Sequence, residues 1–349
     1  MVKIYDDASN YIRDMFWSKS HNKNNTLNIE EAVHAKLVHD NENKDPEYYK
    51  HKAGVVHVTS LSKCLRGVVL GMLGNEKDIL DDRAKKDQMR KLGIFKAGNL
   101  FEDFIVDALG DKMLDRQTEY VYNYKNIIVT GRDDGTILHD GKTMVLENKS
   151  VNSQAFWRRE KEGTLVSTHN QAQLQTYLWL RRILPNLFFY DDEIVYSNME
   201  FKQIVEYKGW DVSRVSQRMN KPDNSDLNGI FCYISKDDCT ISQAPIKFNQ
   251  DIIDEVVIPA MDIIAYGYEK QNAMIVPVPN PISFDEVKHQ HQKNWLCTYC
   301  EYHNQCAGKG WILEAEAEIK RLNLNVQLKM NNKYAVVKDK PLIVATDIG

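Results

Sequence analysis

The chain has 349 residues, of which 43% are hydrophobic and 27% are charged. This composition allows a large apolar core and argues against intrinsic disorder. The formal net charge of -4 argues against a basic coat that would bind nucleic acid over the whole surface, so any contact with nucleic acid must be local.

The sequence gives no sign of membrane insertion or export. No run of about 18 apolar residues is present, which is the least that a membrane-spanning helix requires. The amino terminus has acidic residues where a signal peptide needs a basic segment followed by an apolar one. We therefore expect a cytoplasmic protein with no membrane partner.

In chain order, residues 1 to about 60 predict helices joined by a polar loop. Between Gly93 and Leu109 apolar residues recur at helical spacing, which predicts a helix that ends at Gly110. Three β-rich runs follow and predict a meander of three strands: Tyr120–Tyr124, Ile127–Asp133 and Thr143–Lys149.

The second half of the chain alternates helix and strand signals. A strong helical pattern covers Gln171 to Ile183 and ends before Pro185, because proline disfavours a helical conformation in the residue before it. A strand is predicted within Glu193–Tyr207 and a helix around Gln250–Tyr268. Together these elements predict an α/β fold with a central mixed sheet flanked by helices.

Three charged residues stand where two predicted strands approach each other. Glu147 and Lys149 are two positions apart, so they share one face of their strand, and Asp134 ends the strand before. Two carboxylates can hold Mg²⁺ or Mn²⁺, and a nearby lysine can position or help deprotonate a water molecule, which is what phosphodiester hydrolysis requires. The alternative is a solvated strand face with an ordinary ion pair.

A fourth acid, Glu102, lies on the ridge of the predicted helix that borders its apolar stripe. A partly buried carboxylate needs a partner. A metal ion and an internal salt bridge are both possible partners.

These residues belong to four ordered motifs that resemble those of RecB-type PD-(D/E)XK nucleases. The motifs are Gly98-x-x-x-Glu102, Gly-Arg-x-Asp-Gly at 131–135, Glu147-x-Lys149 and Gln173-Leu174-x-x-Tyr177. The resemblance covers about the central quarter of the chain. One departure is that many members have a histidine at the position of Glu102, so an all-oxygen metal shell is expected here.

The resemblance implies a restriction-endonuclease-like core and specific roles. Asp134, chosen over Asp133, would be catalytic together with Glu147 and Lys149. Gln173 and Tyr177 would support the site and the DNA strand, although Tyr177 also fits an ordinary buried helix face. The implied metal ligands are Glu102, Asp134, Glu147 and the main-chain carbonyl of Asn148.

Three cysteines fall within ten residues in the pattern Cys297-x₂-Cys300-x₅-Cys306. This spacing is typical of a metal site that lacks its fourth ligand, for which Cys64, His303, Cys232 and Cys239 are the candidates. By spacing alone, zinc and a [4Fe-4S] cluster are both allowed.

A lone cysteine before the nuclease motifs and Cys-x₂-Cys-x₅-Cys after them is similar to the iron–sulfur clamp of the CRISPR-associated RecB-like nucleases, exonuclease V and AddB. The resemblance therefore implies a [4Fe-4S] cluster on Cys64, Cys297, Cys300 and Cys306, with structural zinc as the alternative. The organisation expected is a helical amino-terminal region (1–92), a nuclease core (93–210), an extension with the cysteine clamp (211–312) and a tail (313–349).

Aromatic and basic side chains alternate directly after the strand of Glu147. Trp157, Arg158 and Arg159 could contact single-stranded nucleic acid, since bases stack on rings and phosphates bind cations. The alternative is an amphipathic helix with Phe156 and Trp157 in the core.

The function expected is a Mg²⁺- or Mn²⁺-dependent exonuclease that acts on single-stranded DNA or DNA ends. No Gly-x₄-Gly-Lys-Ser/Thr phosphate loop is present, which argues against a motor domain in the same chain. The alternatives are a structure-specific endonuclease and a DNA-binding adaptor subunit of a helicase or a CRISPR adaptation complex. Protein partners in recombination or CRISPR adaptation are therefore possible.

Overall fold

A computed structural model describes residues 33, 35–37, 39, 54–75, 82–139, 141–163, 166–220, 228–276 and 302. The chain divides into two compact units. The first comprises Met1–Lys50 and Leu80–Asn99, and its described part is helical. The second comprises His51–Ile79 and Leu100–Gly349 and contains all the strands described below.

The strands of the described residues fall in chain order as β1 (Val55–His57), β2 (Met113–Asp115), β3 (Glu119–Tyr124), β4 (Ile127–Arg132), β5 (Gly135–His139), β6 (Lys142–Val151), β7 (Asn186–Tyr190), β8 (Glu193–Ser197), β9 (Val215–Met219), β10 (Asn228–Ser235) and β11 (Ile241–Ile246). The principal helices are α1 (Leu65–Met72), α2 (Asp82–Leu109), α3 (Ser153–Lys161), α4 (Thr168–Ile183), α5 (Phe201–Lys208) and α6 (Ile258–Glu269). A short helical turn, Gln250–Ile252, and a π-helical segment, Ile253–Val257, lead into α6.

The strands form two mixed sheets. The first has the order β1-β4-β3-β8-β7-β9, and the second has the order β11-β10-β6-β5-β2. Strand β6 pairs antiparallel with β5 and parallel with β10. The α/β class with mixed sheets and flanking helices is therefore confirmed.

Helix α4 packs against strands of both sheets, and every residue from Gln171 to Leu180 is buried. Its amino end is capped by the Ser167 hydroxyl, which accepts a hydrogen bond from the Asn170 backbone N–H. Several of its buried polar side chains have hydrogen-bond partners within the protein, because burial without partners is costly. For example, the Gln175 side chain donates to the Lys247 carbonyl at 2.8 Å.

The predicted three-stranded meander is wrong. Strand β4 pairs with β3 and β1 in the first sheet, whereas β6 lies in the second sheet. The chain crosses from one sheet to the other at Asp133–Asp134, and the short strand β5 that follows was not among the predicted strands. Gly135 starts β5 with a φ of +146° and has the Asp115 carbonyl 2.6 Å from where a Cβ would lie, a close approach that only glycine permits.

Other predicted elements were close but had different bounds. The helix expected from Gly93 starts earlier, at Asp82, and Phe104, expected on its apolar stripe, is 55% exposed. The segment expected to hold one strand contains β8 and then α5. Cys64 has an extended backbone at the N-cap of α1, so this helix begins just after that residue.

Gly131 marks a tight contact between β4 and α4. A Cβ at this position would lie 2.8 Å from Tyr177 Cε1 and 2.8 Å from Val58 Cγ2. We predict that Gly131→Ala lowers the free energy of unfolding by about 1–3 kcal/mol, because two well-packed side chains must move. Urea denaturation measures this. Gly93→Ala is the matched control, since the one described atom within 4 Å of a Cβ there is Leu37 Cδ1, at 3.9 Å, and alanine favours a helix. Equal losses in both variants would contradict the packing.

Candidate active site

Two adjacent aspartates at the crossover between the sheets have different environments. Asp133 is 1% exposed and accepts a hydrogen bond from the Tyr120 hydroxyl at 2.6 Å. Asp134 instead directs Oδ2 to the backbone N–H of Asn148 on β6, at 2.5 Å. Asp133 therefore belongs to the core, and Asp134 lies where β5 begins beside β6 in the second sheet.

The pairing of β5 with β6 explains why Asp134 can reach that N–H. Gly135 pairs with Leu146, and no residue of β5 pairs with β6 beyond that point. The backbone of Asn148 therefore lacks a strand partner on this side, and the carboxylate of Asp134 takes its place. The N–H and C=O of one strand residue point to the same side, so the Asn148 carbonyl, expected as a ligand, also faces the Asp134 side.

Glu147 and Lys149 share the face of β6 that α4 covers. The Lys149 ammonium donates to Glu147 Oε1 and lies 3.4 Å from Gln173 Oε1. The Gln173 amide donates to the same Glu147 oxygen at 2.7 Å. Gln173 thus contacts both members of the ion pair and fixes their positions.

Tyr177 lies one turn further along α4, where its hydroxyl is 3.4 Å from the Gln173 amide nitrogen. Its ring is 1% exposed and stacks on Tyr120, with ring centroids 5.5 Å apart. It therefore contacts the site through Gln173 and packs in the core at the same time. The structure brings Asp134, Glu147, Lys149, Gln173 and Tyr177 together.

Burial and neighbouring charge raise the pKa of both carboxylates of the site. Burial and then the charge of Glu147 raise the pKa of Asp134 well above its usual range. Burial also raises the pKa of Glu147, and the charge of Glu102 adds to the shift, although Lys149 opposes it. Burial alone would lower the pKa of Lys149, but Glu147 and Asp134 raise it above the ordinary value, so the ammonium keeps its proton.

The donor atoms fit a hard divalent cation. Glu147 Oε2 is buried and has no hydrogen-bond partner among the described residues. A cation would satisfy this oxygen and would offset the repulsion between Asp134 and Glu147, and all the donors are oxygen, as Mg²⁺ and Mn²⁺ prefer.

Glu102 has a different arrangement. Its Oε1 accepts a hydrogen bond from the Gln117 side chain at 3.0 Å, although its charge reaches Asp134 and Glu147. Across the described ranges, no group of three or more His, Cys, Asp and Glu side chains is placed to hold a metal ion. The role of Glu102 as a ligand stays a prediction.

Sequence reasoning missed Arg181, which lies four residues after Tyr177 on the same face of α4. Its guanidinium donates to Thr136 Oγ1 at 2.6 Å, lies 3.7 Å from Asp115 Oδ2 and stacks over the Tyr196 ring. It ties α4 to β2 and β5, which hold the segment after Asp134. The spacing of four from Tyr177 was the signal that could have found it.

The expectation that Phe156 and Trp157 both lie in the core is half wrong. Phe156 is 1% exposed, but the Trp157 side chain is 49% exposed and donates its indole N–H to Asp238 at 3.1 Å. The two residues are adjacent on α3, so only one can face the sheet. Arg158 is exposed and Arg159 is half-buried.

Of the four expected cluster ligands, only Cys64 lies within the described residues; Cys297, Cys300 and Cys306 lie outside them, as does His303. Tyr302, between the last two cysteines, is described and is 8% exposed. A Cβ on Gly71 of α1 would lie 3.1 Å from its hydroxyl. Cys232 and Cys239 are free thiols, and burial raises the pKa of Cys232 to about 11.

Comparisons with known proteins do not identify the family. No protein-family model and no curated protein matches the sequence. The chain is similar to a solved structure described as the crystal structure of SSO0001, with 18% identity and a TM-score of 0.39, over 80% of this chain and 97% of that one. Within the described residues, no helix is long and apolar enough to cross a membrane.

The burial of Asp133 has a consequence for stability. Burial raises its pKa well above the ordinary value of 3.8. A carboxyl group with a raised pKa in the folded state contributes stability that is present below its unfolded pKa and is lost as the pH rises through its folded pKa.

We therefore predict that the parent loses stability relative to Asp133→Asn between about pH 4 and about pH 8, by about 1.4 kcal/mol per unit of raised pKa. Urea denaturation at the two pH values measures the difference. A parent and a variant that change in parallel would show that Asp133 is not held in a buried, uncharged state.

Proposed function

We propose that this protein is a metal-dependent nuclease of the PD-(D/E)XK type, which hydrolyses DNA phosphodiesters in single strands or at DNA ends. The observation that carries the proposal is that Asp134, Glu147 and Lys149 meet where β5 begins beside β6. Two of these residues are carboxylates that repel each other. The antiparallel pair β5–β6, the parallel partner β10 and the covering helix α4 would form the restriction-endonuclease-like core.

The two carboxylates together with the Asn148 carbonyl would hold Mg²⁺ or Mn²⁺, with Glu102 as a further ligand. The bound ion would lower the pKa of a water molecule and offset charge on the phosphate. Lys149 is paired with Glu147, lies near Asp134 and keeps its proton, so its contribution is a positive charge and a hydrogen bond, not a base. Gln173 holds Glu147 and Lys149 in register.

The first test compares neighbouring residues with different environments. Glu147→Gln and Asp134→Asn should each lower the rate of DNA cleavage at least about 100-fold, because each removes a charge that binds the ion. Asp133→Asn is the matched control and should stay within about threefold of the parent, since its carboxyl contacts Tyr120 instead. The measurement is release of labelled nucleotides from end-labelled single-stranded DNA with Mg²⁺.

Circular single-stranded DNA in the same assay separates an exonuclease, which leaves it intact, from an endonuclease, which opens it. Circular dichroism confirms that the variants are folded. A Glu147→Gln protein that cleaves as fast as the parent would refute the proposal.

We further propose that Cys64, Cys297, Cys300 and Cys306 bind a [4Fe-4S] cluster. Two contacts support a shared site. Cys64 immediately precedes α1, and Tyr302 packs in the same core as that helix. In the sequence, Cys300 is two residues before Tyr302. A cluster here would tie the segment before α1 to residues near the end of the clamp region.

Protein purified without oxygen should be brown, absorb at about 400 nm and contain about four iron atoms per chain. Cys64→Ala should lose most of the iron and unfold at a lower temperature, because a cluster stabilises the fold it links. Cys239→Ala is the control, since this thiol is exposed and should leave the iron content unchanged. A colourless protein with one zinc ion would favour a zinc site and overturn the iron–sulfur proposal.

A further inference from the structure

The first turn of α4 contains a histidine whose orientation is fixed. His169 Nδ1 lies 3.3 Å from the Ser62 carbonyl oxygen. A carbonyl oxygen can only accept, so Nδ1 carries the hydrogen, and Nε2 holds the lone pair when the ring is neutral. His169 precedes Gln173 by four residues, so both lie on the face of α4 that borders the catalytic carboxylates.

The neighbouring residue ties the same turn to β10. The Asn170 amide donates to the Tyr233 hydroxyl at 3.1 Å. Tyr233 pairs in register with Lys149 across β10 and β6, which places the two side chains next to each other on one face of the sheet. The start of α4 and the catalytic lysine therefore border one region.

Positive charges converge on this region. Burial lowers the pKa of His169, and the nearby cations Lys63 and Lys149 lower it further. Although burial raises the pKa of Tyr233, Lys149 and Arg159 act against that shift, which places Arg159 of α3 near the same hydroxyl. Lys63, which follows Ser62 in the chain, and Arg159 form what we call the basic surface.

The end of α2 has the opposite charge. Residues 100–111, which include the end of α2, contain four carboxylates and no lysine or arginine. Asp107 and Asp111 are exposed, and Glu102 faces the carboxylates of the site closely enough to raise their pKa values. A polyanion therefore meets repulsion at α2 and attraction at the basic surface.

We propose that the substrate strand leaves the catalytic carboxylates over the basic surface, where a phosphate next to the scissile one binds Lys63 and Arg159. This assignment rests on the proposed nuclease function and adds the path of the strand. It also separates Arg159 from Arg158, because consecutive helix residues point about 100° apart. Arg158 lies on an exposed face of α3 and serves as a matched control.

Binding of a fluorescein-labelled single-stranded oligonucleotide, followed by anisotropy in EDTA, tests the path without cleavage. Arg159→Gln and Lys63→Gln should each weaken binding about 5- to 10-fold and reduce the salt dependence by about one counterion, as loss of a phosphate contact does. Arg158→Gln should change the affinity less than about twofold. Thermal unfolding verifies that all variants are folded.

The proposal is overturned if the parent does not bind the oligonucleotide at low salt, or if Arg158→Gln and Arg159→Gln weaken binding equally. Cleavage with Mg²⁺, measured in parallel, separates the two hypotheses. If Glu147→Gln is inactive and Arg159→Gln binds like the parent, the proposed nuclease function is supported and the proposed path of the strand is wrong. If Glu147→Gln cleaves normally and only Arg159→Gln binds weakly, DNA binding at the basic surface is supported and the catalytic assignment of Glu147 is wrong.

Discussion

The repulsion between Asp134 and Glu147 is the constraint around which the described structure is arranged. Burial raises the pKa values of both groups, and the charge of Glu147 raises that of Asp134 further. The fold compensates in part with the Lys149 ammonium, the Gln173 amide and the Asn148 N–H. Among the described residues, Glu147 Oε2 has no hydrogen-bond partner, and a bound divalent ion would satisfy this oxygen and relieve the repulsion between the two carboxylates.

Helix α4 contributes side chains both to the core and to the candidate site. Strands of both sheets pack against it, and residues four positions apart along one face each make a different contact. His169 contacts Ser62, Gln173 contacts the ion pair, Tyr177 stacks on Tyr120, and Arg181 bonds to β5. A shift of this helix would therefore disturb packing and carboxylate geometry together, since closely packed interiors transmit strain.

The sequence predicted what depends on local pattern. The α/β class and the body of α4 follow from periodicity, which acts over a few residues, whereas the grouping of the four motifs was expected from their resemblance to those of RecB-type nucleases. The division into two sheets did not follow, because the crossover at Asp133–Asp134 depends on which distant strand pairs with β6. Arg181 and His169 were missed for the same reason: their partners, Asp115 and Ser62, are far away in the chain.

The central claim is that Glu147 and Asp134 form a cation site, and Mn²⁺ binding tests it without any substrate. Calorimetric titration of the parent should give one or two bound ions, and the melting temperature should rise as Mn²⁺ is added. Glu147→Gln, without metal, should be at least as stable as the parent because the repulsion is removed, and it should gain little from Mn²⁺. Equal Mn²⁺ affinity in the parent and in Glu147→Gln would contradict the account.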